Sequence, residues 1–241
     1  MSGSGERDPI LDQLLEEYRR QVLRWNRQIN LISRQESPDR LEGLIQQCRE
    51  AWDHLASSEE AGWPAASGLW YFDLGSGAGL PGFVWHAQAA RAGQKIRTWL
   101  VEPREKRAWF LDRLNHLEKT EPMTVDAGRW GEVEIETPAS ESPPSHILIS
   151  LKALHLTDTE VLDGLAPWLP GQAESSLLLA RFYPPEQRWS QELEEELEIL
   201  PSGAERTRGG RVFRSKGGRV LAPGSSRGAS LVLAEYLVES R

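Results

Sequence analysis

Between positions 10 and 32 the apolar residues fall at Ile10, Leu11, Leu14, Leu15, Tyr18, Val22, Trp25, Ile29 and Ile32. Steps of three and four place them on one face of a helix. A second amphipathic stretch, 38–56, opens on Ser37-Pro38-Asp39, a helix-start signal. Residues 61–68 are small and turn-rich and mark a boundary. From Leu69 the pattern changes. Short apolar runs at 69–74, 95–102, 122–126, 146–151 and 175–181 alternate with helical periods at 80–91, 104–117 and 157–169. In the second of these, Ala108, Leu111, Leu114 and Leu117 define the buried face. Runs at 211–214 and 230–238 read as closing strands joined by a Gly- and Arg-rich turn, and 134–145 as a surface loop. Alternating strands and helices predict an α/β fold: a mostly parallel seven-stranded sheet with helices on both faces. The expected division is an N-terminal helical extension, 1–64, and a sheet domain, 65–241.

Charge changes this picture locally. The 241 residues carry a net charge of −8, which argues against a surface that is basic throughout. Residues 191–198 carry five glutamates and no cation, and read as a solvated face. Between 206 and 227 lie Arg206, Arg208, Arg211, Arg214, Lys216, Arg219 and Arg227 with no acid, a stretch suited to a polyanion. The single cysteine, Cys48, allows no intrachain disulfide or thiolate cluster, and the five histidines have no metal-ligand spacing. No metal is expected. No apolar run approaches a membrane span, and no signal peptide is visible, so a cytoplasmic protein is expected.

The chemistry concentrates at Tyr71-Phe72-Asp73-Leu74-Gly75-Ser76-Gly77-Ala78-Gly79-Leu80-Pro81-Gly82, a strand breaking into a glycine loop before a helix. At the carboxyl edge of an open α/β sheet such a loop binds a ligand. The glycines alone fit two cofactors. Gly77-Ala78-Gly79-Leu80-Pro81-Gly82 fits the dinucleotide fingerprint. Asp73, Gly75, Gly77 and Gly79 fit the acidic-x-G-x-G-x-G loop that binds S-adenosylmethionine, whose cationic groups favour a carboxylate at this strand end. Glu102, closing the next strand, suits the ribose of either cofactor.

Three motifs carry a resemblance. Leu23-Arg24-Trp25-Asn26-Arg27-Gln28-Ile29-Asn30-Leu31-Ile32-Ser33 is similar to the L-x-x-W-N-x-x-x-N-L-T/S signature of the bacterial RsmG family, also called glucose-inhibited division protein B. Residues 73–82 resemble its D-x-G-[ST]-G-x-G-L-P-G loop, and 101–111 its acid-x-x-x-K-[KR]-x-x-F-L segment. The likeness covers most of residues 10–182. It implies a Rossmann-like methyltransferase fold, S-adenosylmethionine as cofactor, and methylation of guanine N7 in 16S ribosomal RNA of the small subunit. It implies that Gly75 and Leu80 line the cofactor pocket, that Glu102 faces the ribose, and that Trp130 and Gly131 meet the adenine. A monomer without membrane or metal partners is expected.

The chain also departs from the family. An R-H-x-x-D-S box reads Gln46-Gln47-Cys48-Arg49-Glu50-Ala51, and S-R-A after the fourth strand reads Ser150-Leu151-Lys152-Ala153. Lys152 takes the place of the family's arginine as the candidate catalytic cation, and Arg181 that of a lysine after the fifth strand. These changes bear on RNA contacts and leave open a methyltransferase with a changed substrate, or a binding relative with little activity. Trp25 falls on the apolar side of its helix and reads as core, with Arg24 and Arg27 in solvent.

Overall fold

A computed structural model describes residues 8–33, 38–57, 68–117, 122–132, 144–152, 154–169, 174–183, 190–221 and 230–240. The first helix, α1 (Pro9–Asn26), starts where the Asp8 carboxylate accepts from the N–H groups of Ile10 and Leu11. An N-cap carboxylate satisfies donors that the helix leaves unpaired. Leu11, Leu15, Tyr18 and Val22 are its buried stripe. The apolar period runs on to Ile32, but the helix does not. Asn26 Oδ1 accepts from the N–H groups of Leu31 and Ile32 at 2.8 and 2.9 Å, turning the chain back on itself. This bond explains the Asn of the Trp-Asn motif. Helix α2 (Pro38–Ser57) buries Leu41, Ile45, Cys48, Ala51, Trp52 and Leu55.

The sheet comprises β1 (Leu69–Leu74), β2 (Ile96–Val101), β3 (Thr124–Asp126), β4 (His146–Leu151), β5 (Ser175–Tyr183), β6 (Glu205–Arg208), β7 (Arg211–Leu221) and β8 (Ser230–Ser240). Helices α3 (Gly82–Arg91), α4 (Glu105–Leu114), α5 (Asp158–Leu165) and α6 (Gln191–Leu197) lie between them. The spatial order is β3-β2-β1-β4-β5-β8-β7-β6. Strands β1 to β5 pair in parallel, and β8, β7 and β6 are added antiparallel. The expected seven-stranded, mostly parallel sheet is therefore corrected to a mixed sheet of eight strands. The extra strand, β6, is Glu-Arg-Thr-Arg with three of its four residues exposed, so no apolar alternation announces it.

Central strands buried on both faces form two cores. On one face Leu69 and Tyr71 of β1 join α1, α2, α3 and α4. On the other, Trp70, Phe72 and Leu74 join α5, α6 and the closing strands. The N-terminal helices thus share a hydrophobic cluster with the sheet. The acidic stretch forms α6, capped by Ser190, with Leu193 and Leu197 turned inward and its acids outward. Among the described residues no helix is long and apolar enough to cross a membrane.

The expected basic turn is also corrected. β7 runs through Leu221, with a bulge between Ser215 and Gly217, so Arg214, Lys216 and Arg219 lie in a strand. Neighbouring elements supply the acids that the local sequence lacks. Arg206 and Arg208 reach Asp163, Arg214 reaches Glu205 and Glu239, and Arg219 reaches Glu235. Arg227, most of the 61–68 boundary and most of the 134–145 loop lie outside the described residues.

Candidate active site

Three glycines with positive φ, Gly75 (71°), Gly77 (56°) and Gly79 (91°), turn the chain from β1 towards α3. Side chains are strained in that region of backbone space. The loop is held at two points by carboxylates. Glu102, 3% exposed just past β2, accepts from Gly77 N–H at 2.9 Å and from Arg104 N–H at 3.0 Å. Asp73, 1% exposed, accepts from Gly82 N–H at 3.1 Å and from the Ser150 hydroxyl at 2.6 Å. A β-carbon on Gly82 would lie 2.5 Å from Asp73 Oδ2, so only glycine fits there.

Burial pushes the Asp73 carboxyl from 3.8 up to about 6, against the opposing pull of Ser150, Ser76, Gly82 and Lys152. Between those values the folded protein holds a proton that the unfolded chain releases. The stability from this group is complete below about pH 4 and is lost as pH rises through about 6. The shift corresponds to about 3 kcal/mol. Asp73→Asn is expected to abolish this dependence. Urea melts of both proteins across the window check it, and parallel curves would exclude Asp73 as the titrating group.

Two clefts open along the carboxyl edge of the sheet. One, of about 490 Å³, is lined by Leu74, Gly75, Glu102, Arg104, Gly128 and Trp130, among others. The other, of about 880 Å³, is lined by Lys152, His155, Arg181, Phe182, Tyr183, Arg40 and Gln47, among others. Leu154 and Leu156, just past β4, belong to both walls, so the clefts adjoin. Both sizes are in the range that holds small ligands.

Trp130 is the large flat wall of the smaller cleft. Its Nε1–H donates to Val161 O at 3.1 Å, and its ring stacks on Trp168 with centroids 5.3 Å apart. Gly164 of α5 makes room for it, since a β-carbon there would meet Trp130 Nε1 at 2.2 Å. Beneath the larger cleft, Arg181 and Asp158 form an ion pair of 2.7 Å with side chains 4% and 0% exposed. The Tyr236 hydroxyl donates to Asp158, and Arg181 donates to Leu156 O at 3.1 Å.

The structure brings Gly75, Glu102 and Trp130 to one cleft and puts Lys152 in the next. Asp73 lies beneath the loop, Gly79 packs towards Leu111, Leu114 and Phe83, and Leu80 is buried. Gly77 acts through its N–H on Glu102. Gly131, at φ 86°, turns the chain after Trp130. Gln47 lines the larger cleft, whereas Glu50 lines neither and accepts from Gln46. Sequence reasoning missed Gly164, Asp158 and Tyr236. A glycine inside a helical period was the available signal for the first. The other two carry no local signal.

Residues 11–150 match the family model described as GidB, rRNA small subunit methyltransferase G. The protein named ribosomal RNA small subunit methyltransferase G from Cereibacter sphaeroides is 37% identical over 97 residues, 40% of this chain and 42% of that protein. The one of the same name from Magnetococcus marinus is 29% identical over 108 residues, 45% of this chain and 43% of that protein. The matched regions span less than half the length of these relatives. Among solved structures, that of MtNAS in complex with MTA and tNA aligns with a TM-score of 0.50 at 11% identity. It covers 96% of this chain and 70% of that one, a likeness of fold alone. With well over half its residues matched in order by the family model, the chain belongs to the rRNA small subunit methyltransferase G (GidB) family.

Proposed function

We propose that the protein methylates N7 of a guanine in 16S ribosomal RNA, with S-adenosylmethionine in the smaller cleft and the target base in the larger. The observation that carries this reading is the shared Leu154 and Leu156 wall, which sets a nucleoside-sized cleft beside a second one. The residues of the first fit the cofactor. Glu102 uses one acceptor site of each oxygen on a backbone N–H and keeps further lone pairs for ribose hydroxyls. Trp130 offers an aromatic wall to the adenine, and Gly75, without a side chain, leaves the approach open. Asp73, Gly77, Gly79 and Leu80 serve by fixing the loop, and Gly131 by placing Trp130.

Bound S-adenosylmethionine supplies an activated methyl group. Guanine N7 already carries an exposed lone pair, so the protein has no proton to remove. Its task is alignment and exclusion of water. Lys152, on the wall of the base cleft, is the group proposed to hold an oxygen of the target nucleotide. The partner is then the small ribosomal subunit or its RNA, and the acting form a monomer.

The test is methylation of purified small-subunit RNA and of assembled small subunits, with N7-methylguanosine read by mass spectrometry. Cofactor binding without RNA methylation would overturn the reading. One observation favours a second target: Gln47, a neutral amide, lines the base cleft where the family has a histidine. The same mass spectra report methylation at any other position.

Glu102→Ala is expected to weaken S-adenosylmethionine by about 1.5–3 kcal/mol, the scale of hydrogen bonds to a charged group. S-adenosylhomocysteine, with the same ribose, should lose as much. Calorimetric titration checks both. Glu102→Gln, which keeps an acceptor, separates the ribose contact from the loop tie. Equal affinities throughout would make Glu102 a structural acid only.

A further inference from the structure

We propose that a ledge on α1 and α4, built on Trp25 and Trp109, holds single-stranded RNA flanking the target nucleotide. This rests on the reading that the substrate is RNA. Among the described residues, Trp109 is one of two large apolar side chains left exposed, at 45%. It meets Trp25 edge to face, with centroids 4.8 Å apart. The Arg113 guanidinium lies 5.1 Å from the Trp109 ring centre and 5.4 Å from that of Trp25, and Arg24 lies 5.6 Å from Trp25. Trp25 is thus only half-buried, packed against the core by one part of its ring.

The ledge connects with the cofactor cleft. Pro103, Arg104 and Arg107 line both that cleft and a neighbouring hollow. That hollow shares Gln28, Ile29, Glu105 and Lys106 with a third one beneath the two tryptophans. Arg107 closes the side of the track, donating to Asn30 O at 3.0 and 2.5 Å. A strand leaving the site has a continuous groove to follow.

Charge distinguishes this surface from the C-terminal arginine run. Arg206, Arg208, Arg214 and Arg219 are neutralised by acids. Arg24, Arg104, Lys106 and Arg113 have no ion-pair partner among the described residues, and Glu105 is the single acid lining the two hollows. In a chain of net charge −8, unpaired cations around an exposed indole suit a polyanion whose bases stack. A single strand offers both features, and a duplex hides its base faces.

The test uses the full chain, a short unstructured RNA and a duplex of the same sequence. Trp109→Ala is expected to weaken the single strand roughly 5- to 150-fold, the effect of losing one stacked base. Trp109→Tyr should recover most of that. The triple variant Arg24→Gln, Lys106→Gln, Arg113→Gln should flatten the slope of log affinity against log salt by up to about 2. Affinity for S-adenosylmethionine should hold in all variants, because none of these residues lines its cleft. Unchanged RNA affinity and salt slope would overturn the proposal, as would a duplex bound as tightly as the single strand. Failure of the ledge leaves cofactor binding and methylation by the unaltered protein as they are. Failure of the enzymatic reading shows as no methylation despite Trp109-dependent RNA binding.

Discussion

Arg181→Met is expected to lower the stability of the protein by about 3–5 kcal/mol, the scale of removing one partner from a buried ion pair. Arg181 sits on β5 and Asp158 at the start of α5, and neither side chain reaches water to any extent. Tyr236 of β8 donates to the same carboxylate. Loss of the guanidinium strands Asp158, whose carboxyl is already pushed upward by burial, with the Arg181 charge as the largest opposing influence. The acid must then take a proton to remain inside. The deficit should shrink in acid and grow as pH rises, since only the protonated form tolerates the site. Denaturant melts from mildly acidic to neutral pH measure this. Arg181→Met with Asp158→Asn should regain much of the loss, because no buried charge is then left unpaired. A single variant as stable as the parent would mean that the pair contributes nothing net.

The charge cluster also shows where sequence reasoning stops. Its three members stand on separate elements, and only the sheet order sets β8 beside β5. Nothing local to Tyr236 marks it as the partner of an acid on α5. The glycine loop was legible because its chemistry is local: strand, glycines, helix and Glu102 follow in chain order. The end of α1 was not, because an apolar period says nothing of a side chain that competes for backbone donors, as Asn26 does. Arg206, Arg208, Arg214 and Arg219 look unpaired in sequence because their acids come from α5, β6 and β8. The ledge of Trp25 and Trp109 joins two motifs that the sequence shows separately, and only the packing of α1 near α4 joins them.

Gly164→Ala is expected to displace Trp130 and weaken S-adenosylmethionine at least as much as Trp130→Ala does. In isolation the change favours the fold, because alanine is the better helix residue by up to about 1 kcal/mol. Here the new methyl would lie 2.2 Å from Nε1, 2.6 Å from Cδ1 and 2.7 Å from Cε2 of the indole. No van der Waals contact is that short, so the ring must leave its seat. It would give up the bond to Val161 O and the stack on Trp168. Overpacking of this kind lowers stability by about 1–3 kcal/mol, more than the gain in helix propensity. The decisive measurement is a double-mutant cycle of thermal stability and cofactor affinity. With Trp130 already cut to alanine, Gly164→Ala should be neutral or stabilising and leave affinity where Trp130→Ala put it. The two changes then couple because they act on one contact. Additive effects would show that Gly164 does not act through Trp130, and would remove the indole seat from the account of the cofactor cleft.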